Sequence, residues 1–387
     1  MLLTQKIVPY VTLTTPKGIK VFIEIEDAEF SENHARCSVK KHSGTDPDVT
    51  NGIKIFSTVR KFSSSRIVTN SQRIVIKGGE GVGRVTLPGL DQKPGESAIN
   101  SVPRKMILEG VSEELKKAFA GENLSKEDDF SLEVEISVPG GEEIARQTFN
   151  PKLGITGGIS ILGTSGIVEP MSEQALLDTI KLEINVRKSQ GFNVLPIVPG
   201  NYGADFLQAE FGFSVETAVH CSNFVFDSLQ MAKNAGFKKI LFCGHIGKLV
   251  KVAGGIKNTH SKYGDHRMEI ISQVAEELFE KGLLKGKITS SEQFSSLKKE
   301  LLACISTEQA VKILDSIDSL GSNGEETHET RSKIMQEIVT RIQKNMIEWT
   351  CGEIEIEVLI FTKEHGLLAK TSRASDFIMP EFLQERL

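Results

Sequence analysis

Residues 239–248 read KILFCGHIGK. The run Lys239–Cys243 is nearly all apolar and stops at Gly244-His245-Ile246-Gly247-Lys248. A short apolar run bounded by glycine predicts a strand buried on both faces, feeding a helix. Two upstream stretches repeat the pattern. Val194–Val198 ends in Pro199-Gly200-Asn201-Tyr202-Gly203, and Gly158–Leu162 ends in Gly163-Thr164-Ser165-Gly166. Between them lie helical stretches. One runs from Ser172, a suitable N-cap with Glu173 in the first turn, to about Gln190 before Gly191. A second, Asn223–Ala235, closes at Gly236, and a third, Asp265–Glu280, precedes Gly282. Strands alternating with helices imply right-handed crossovers and a parallel sheet, so residues 151–282 are expected to form a Rossmann-like α/β domain.

Both flanks differ from this pattern. Val8–Thr14 and Ile19–Ile25 surround the turn Thr15–Gly18, and Ala35–Lys40, Ile53–Val59, Arg73–Lys77 and Leu132–Val138 read as further strands. With the amphipathic helix Val102–Phe119, residues 1–150 predict an α+β domain. Residues 283–387 predict a helical extension, Ser290–Cys304, Thr307–Ser316 and Thr327–Thr350, followed by a last strand Glu353–Phe361. The small, acidic stretch Gly321–Glu329 reads as a loop.

Composition narrows the function classes. The 387 residues carry 46 Lys+Arg and 51 Asp+Glu, a formal charge of −5, which argues against general nucleic-acid binding. Five scattered cysteines, with no C-x-x-C, do not suggest a disulfide framework. No apolar run approaches the ~18 residues of a membrane span, and the start MLLTQKIVPYVTLTT does not read as a signal peptide. The expected setting is the cytoplasm.

In a parallel sheet the loops after successive strands share one edge, where ligands bind in open α/β folds. Three glycine turns on that edge predict a ligand crevice, because backbone N–H groups can approach a ligand where no Cβ intervenes. Named nucleotide motifs do not fit. Gly78-Gly79-Glu80-Gly81-Val82-Gly83 has the wrong final spacing and no helix after it, and Gly244–Lys248 lacks the first glycine of a P-loop. Residues 244–267 hold four Lys, one Arg and one Asp, a net +4 in an acidic chain. That charge suggests an anionic partner, although charge runs more often form a solvated face. Cys243, His245, His260 and His266, with Cys221, show no compact metal spacing, so no protein-bound metal is expected. Ser160 and Ser165 lack the G-x-S-x-G form of a hydrolase nucleophile.

Several long motifs resemble one family. Asp46-Pro47-Asp48-Val49-Thr50-Asn51-Gly52, Gly78–Thr86, Gly157–Val168 with Pro170-Met171-Ser172, Pro199–Gly203, Cys221-Ser222-Asn223-Phe224, Gly244–Lys251, Asn258–Ser261 and Asp265–Glu269 are similar, in order, to the cobalt-precorrin-5B C1-methyltransferase (CbiD) family of cobalamin biosynthesis. The likeness covers about residues 7–375. It implies methyl transfer from S-adenosylmethionine to a ring carbon of an anionic cobalt-tetrapyrrole. On that basis Gly163, Thr164, Ser165, Gly166, Gly200, Asn201, Tyr202 and Gly203 are expected to hold S-adenosylmethionine. Lys248, Lys251, His260 and Arg267 are expected to hold the tetrapyrrole, and His245 to act as the base. Family members usually begin with a segment like R-x-G-Y-T-T-G and an Ala-rich helix. This chain begins near the strand that follows, which predicts a larger effect on activity than on stability. Two other readings compete: an α/β enzyme acting on another anionic metabolite, and a non-catalytic corrinoid-binding protein. Oligomeric state is not legible.

Overall fold

The computed structural model describes residues 1–46, 48–63, 74–120, 130–169, 172–284, 288–318 and 329–378. They form a mixed α/β protein of two compact units, residues 1–175 and 176–387. The division thus falls at neither boundary expected from the pattern of strands and helices. Arg73, Pro47, Pro170, Met171 and all of the Gly321–Glu329 loop except Glu329 lie outside the described residues.

The first unit is the expected α+β assembly. Strands Tyr10–Thr14 and Lys20–Glu24 form an antiparallel hairpin. A five-stranded sheet follows, in the order Ala28–Phe30, His34–Lys40, Lys54–Ser63, Phe130–Ser137, Ile74–Gly78, with only the last pair parallel. Ile107 and Val111, on one face of the helix Ser101–Ala120, join Val134, Ile136 and Ile99 in its core.

The glycine-rich segment 78–83 is a backbone crossing. Gly81 has φ +70°, and a Cβ there would lie 1.8 Å from the Val138 carbonyl oxygen. The Gly81 carbonyl accepts from the Ile159 N–H at 3.0 Å, while the Val138 N–H donates to the Glu80 carbonyl at 2.7 Å. Glycine is needed because three chain segments meet at backbone distance. This contact also corrects the reading of Gly158–Leu162. Its partners are Val82 and Ile99 of the first unit, through bridges at Ile159 and Ile161, and it is not a strand of the parallel sheet. Apolar alternation marks a strand but does not name its neighbour.

The second unit holds that sheet. Its order is Val219–His220, Val194–Val198, Lys239–His245, Glu355–Thr362, Gly366–Lys370, parallel through the first four and antiparallel at the last. The final strand expected in the C-terminal extension therefore lies beside the quoted strand, with Cys243 opposite Leu359 and His245 opposite Phe361. Alternate residues bury on opposite faces. Leu195, Ile197, Ile240, Phe242, Ile356, Val358 and Ile360 share one core with the helices Val225–Asn234, Ile246–Ala253, Arg267–Glu280 and Glu329–Trp349. Val194, Val198, Leu241, Cys243, Leu359 and Phe361 pack with the helices Asn201–Phe211 and Ala374–Ile378 on the other. Ile334, Ile338, Ile342 and Met346, four residues apart along Glu329–Trp349, give that helix its buried stripe. Ser290 closes a capping box with Gln293 at the start of Ser291–Ala303. Among the described residues no helix is long and apolar enough to cross a membrane.

The Asp48-x-Thr50 motif fastens the loop between His34–Lys40 and Lys54–Ser63. Burial raises the Asp48 pKa, but hydrogen bonds from Lys41 Nζ, Thr50 Oγ1 and the Thr50 N–H outweigh it and hold the carboxyl down to about 2. A depressed carboxyl contributes stability above its ordinary value near 3.8 and loses it as pH falls through about 2. Asp48→Asn should therefore lower stability by roughly 1 kcal/mol at pH 7, after solvent screening. The difference from the parent should vanish near pH 2 in chemical denaturation at the two pH values.

Candidate active site at the carboxyl edge

From Val194–Val198 the chain moves outward to Val219–His220, then returns to the opposite side of the first strand at Lys239–His245. The strand order thus reverses between Val194–Val198 and Lys239–His245. A crevice outside the carboxyl ends of such a pair is the usual ligand position in open α/β sheets.

Pro199-Gly200 leads straight into the helix Asn201–Phe211, so the expected glycine loop is a helix start. Gly203 lies on that helix where a Cβ would come within 2.9 Å of the Cys243 carbonyl oxygen. Only glycine lets the helix sit this close to the neighbouring strand. On the other side, His245 caps the helix Ile246–Ala253 by accepting from the Gly247 N–H through Nδ1 at 3.0 Å. Its proton therefore resides on Nε2, which donates to Glu308 Oε1 at 3.1 Å. Both nitrogens are engaged, and the ring meets Phe361 edge to face at 5.7 Å.

Lys248 lies in the first turn of the helix Ile246–Ala253, just past the carboxyl end of Lys239–His245. Its Nζ lies 3.5 Å from the carbonyl oxygens of Pro199 and Ser222, and burial pushes its pKa down. Among the described residues no carboxylate forms an ion pair with it. Lys251 is turned inward and buried, donating to the carbonyls of Gly264 at 2.8 Å and Thr259 at 3.4 Å. His260 caps the short turn Ser261–Tyr263 through Nδ1. Arg267 pairs with Asp265 through Nε and Nη2. Lys257 covers the Phe226 ring at 4.3 Å. The basic segment consequently disperses, and Lys248 is its cation at the carboxyl edge.

Gly163, Thr164, Ser165 and Gly166 belong to the first unit. Ser165 Oγ bonds the Ile167 backbone, and Gly166 packs near Thr15 and Pro16. They do not follow a strand of the second unit's sheet, because Ile159 and Ile161 bridge to Val82 and Ile99.

The two buried thiols beside this edge, Cys221 and Cys243, are unsuited to nucleophilic chemistry. Burial pushes Cys221 up to about 12 and Cys243 higher still. All five cysteines are free.

Sequence reasoning missed Glu308 and the turn Lys363-Glu364-His365. Lys363 donates its backbone N–H to Glu308 Oε1 at 3.2 Å, and its Nζ stands 3.4 Å over the Tyr202 ring. The only sequence signal was an apolar strand ending in Thr362-Lys363-Glu364-His365-Gly366. Adjacency to residue 245 required the parallel pairing.

A family model described as CbiD matches residues 1–170. A cobalt-precorrin-5B C(1)-methyltransferase of Alkaliphilus metalliredigens is 38% identical over 374 residues, covering 97% of this chain and 88% of that protein. The chain belongs to the CbiD family. A protein of the same name from Ruminiclostridium cellulolyticum is 48% identical over 272 residues, covering 70% of this chain and 67% of that one. A crystal structure of cobalamin biosynthesis protein CbiD from Archaeoglobus fulgidus is 27% identical, covers 68% of this chain and 77% of that one, and superposes with a TM-score of 0.32.

Within this CbiD-family chain, the inward Lys251 should matter for folding more than for binding. Lys251→Met removes the donor to two carbonyls and should lower stability by about 1–3 kcal/mol. Thermal unfolding, compared with the Michaelis constants of the variant, checks this. An unchanged melting temperature with a raised substrate KM would return Lys251 to the binding surface.

Proposed function

We infer that this chain is an S-adenosylmethionine-dependent methyltransferase acting on ring carbon C1 of cobalt-precorrin-5B to give cobalt-precorrin-6A in cobalamin biosynthesis. The observation that carries this reading is 38% identity to a protein of that name along 97% of the chain. The second unit's sheet acts as a Rossmann-like platform in this reading, with the methyl donor in the crevice beside Gly200, Asn201, Tyr202 and Gly203. Reaction is expected in the cytoplasm.

The chemistry is displacement at a sulfonium methyl by a ring carbon. The donor is already activated, so the protein contributes chiefly alignment and exclusion of water. The helices that follow these parallel strands start at the carboxyl edge, where their positive ends favour a substrate bearing acetate and propionate groups. Lys248 adds a formal charge there, held by carbonyls and still able to donate to a carboxylate.

His245, expected as the base, has no lone pair free while it caps its helix and donates to Glu308. Its proposed role is therefore to hold the Gly244–Gly247 turn and Glu308 in place. Arg267, already neutralised by Asp265, and His260 are left as peripheral contacts.

The decisive experiment is turnover of cobalt-precorrin-5B with S-adenosylmethionine, followed by mass spectrometry for a product heavier by one methyl group. Tetrapyrrole bound without turnover would favour a corrinoid-binding protein instead. Lys248→Met should raise the tetrapyrrole KM about 10- to 150-fold, the equivalent of ~1.5–3 kcal/mol for one charge-assisted hydrogen bond, with kcat little changed. An unaltered tetrapyrrole KM removes Lys248 from the site. His245→Asn, which retains a capping oxygen, should keep more of kcat than His245→Ala. Equal loss in the two would restore His245 as proton acceptor.

A further inference from the structure

We propose that Glu308, Glu364 and His365 form a binding site for a divalent transition-metal ion at the carboxyl end of the strand Glu355–Thr362. This goes beyond the methyl-transfer reading and departs from the expectation of no protein-bound metal. One ligand atom from each residue lies within 4.8 Å of the others.

Proximity of acidic groups alone would carry little. Here Glu308 Oε2 and His365 Nε2, on two of the three residues, are buried without a hydrogen-bond partner. A buried polar atom left unpaired is destabilising, more so when charged, so a carboxylate oxygen and an imidazole nitrogen left in this way within one cluster call for an occupant. A cation that accepts both lone pairs satisfies them together.

The surrounding groups orient these ligands as metal sites require. Glu308 Oε1 is fixed by His245 Nε2 at 3.1 Å and by the Lys363 N–H at 3.2 Å, which leaves Oε2 as the oxygen without a partner. His365 Nδ1 stands 3.5 Å from Asp315 Oδ2, and Asp315 is itself paired with Arg331 at 2.9 Å. A carboxylate beside Nδ1 favours the tautomer with the proton there and the lone pair on Nε2, the arrangement common behind metal-bound histidines. The His365 N–H also donates to Thr362 Oγ1 at 3.0 Å, which steadies the turn. Glu364 is exposed, and Lys312 binds its Oε2 at 2.5 Å, leaving Oε1 for an ion.

Two carboxylates and one imidazole are an N/O donor set suited to zinc, iron or manganese, with remaining positions left to water. Ligands about 2.1 Å from a tetrahedral ion stand ~3.4 Å apart, so separations of up to 4.8 Å close with a shift of about 0.7 Å by each side chain.

The test uses the full chain, freed of metal by chelator and titrated calorimetrically with zinc chloride, with cobalt(II) as a visible-absorption probe. One ion per chain is expected. His365→Ala should weaken zinc binding at least ~100-fold, beyond the 10–100-fold typical for loss of an outer partner. Should that half-buried substitution disturb folding, Glu364→Gln, at an exposed position, should still weaken binding by about 10-fold or more. Absence of zinc binding by the parent chain, or parent-like affinity in the folded variants, overturns the site. Neither result bears on methyl transfer, which the turnover assay decides separately.

Discussion

The parallel pairing of Lys239–His245 between Val194–Val198 and Glu355–Thr362 is the constraint on which the second unit depends. With Glu355–Thr362 it joins segments more than a hundred residues apart, and it brings four strand ends to one edge. Because successive side chains alternate, the same pairing sends Ile240 and Phe242 into one core and Leu241 and Cys243 into the other. A strand buried on both faces has no tolerance for a one-residue slip, which would exchange the cores and turn His245 away from Glu308.

Around that edge, backbone geometry and polar chemistry reinforce each other. Gly203 brings one helix against the Cys243 carbonyl, while Gly247 donates to His245. The imidazole is thereby part of the scaffold and fixes Glu308, whose second oxygen is left buried and unpaired. Lys248 remains as a cation whose partners among the described residues are carbonyl oxygens. Most other cations of the segment are committed to local structure, so a net charge counted along the chain does not give the charge presented at one edge.

The glycine motifs illustrate two physical uses of one residue. At Gly81 the absent side chain permits three backbone segments to cross, and positive φ makes the turn. At Gly203 the conformation is helical, and what matters is close approach to a neighbouring strand. Neither use is a phosphate cradle, in keeping with the failure of the nucleotide spacings.

By itself the sequence determined the α/β class, the α+β character of the first unit, the strands Val194–Val198 and Lys239–His245, and the helices that follow from apolar periodicity and glycine stops. Those features are local, because period and capping act over a few residues. It also carried the family likeness through motifs in order. Tertiary structure alone decided that Gly158–Leu162 pairs with Val82 and Ile99, that Lys251 points inward, and that Glu308, Glu364 and His365 meet beside residue 245. Strand partnership and side-chain direction depend on contacts between distant segments, and a local pattern is the same whichever distant partner the strand adopts.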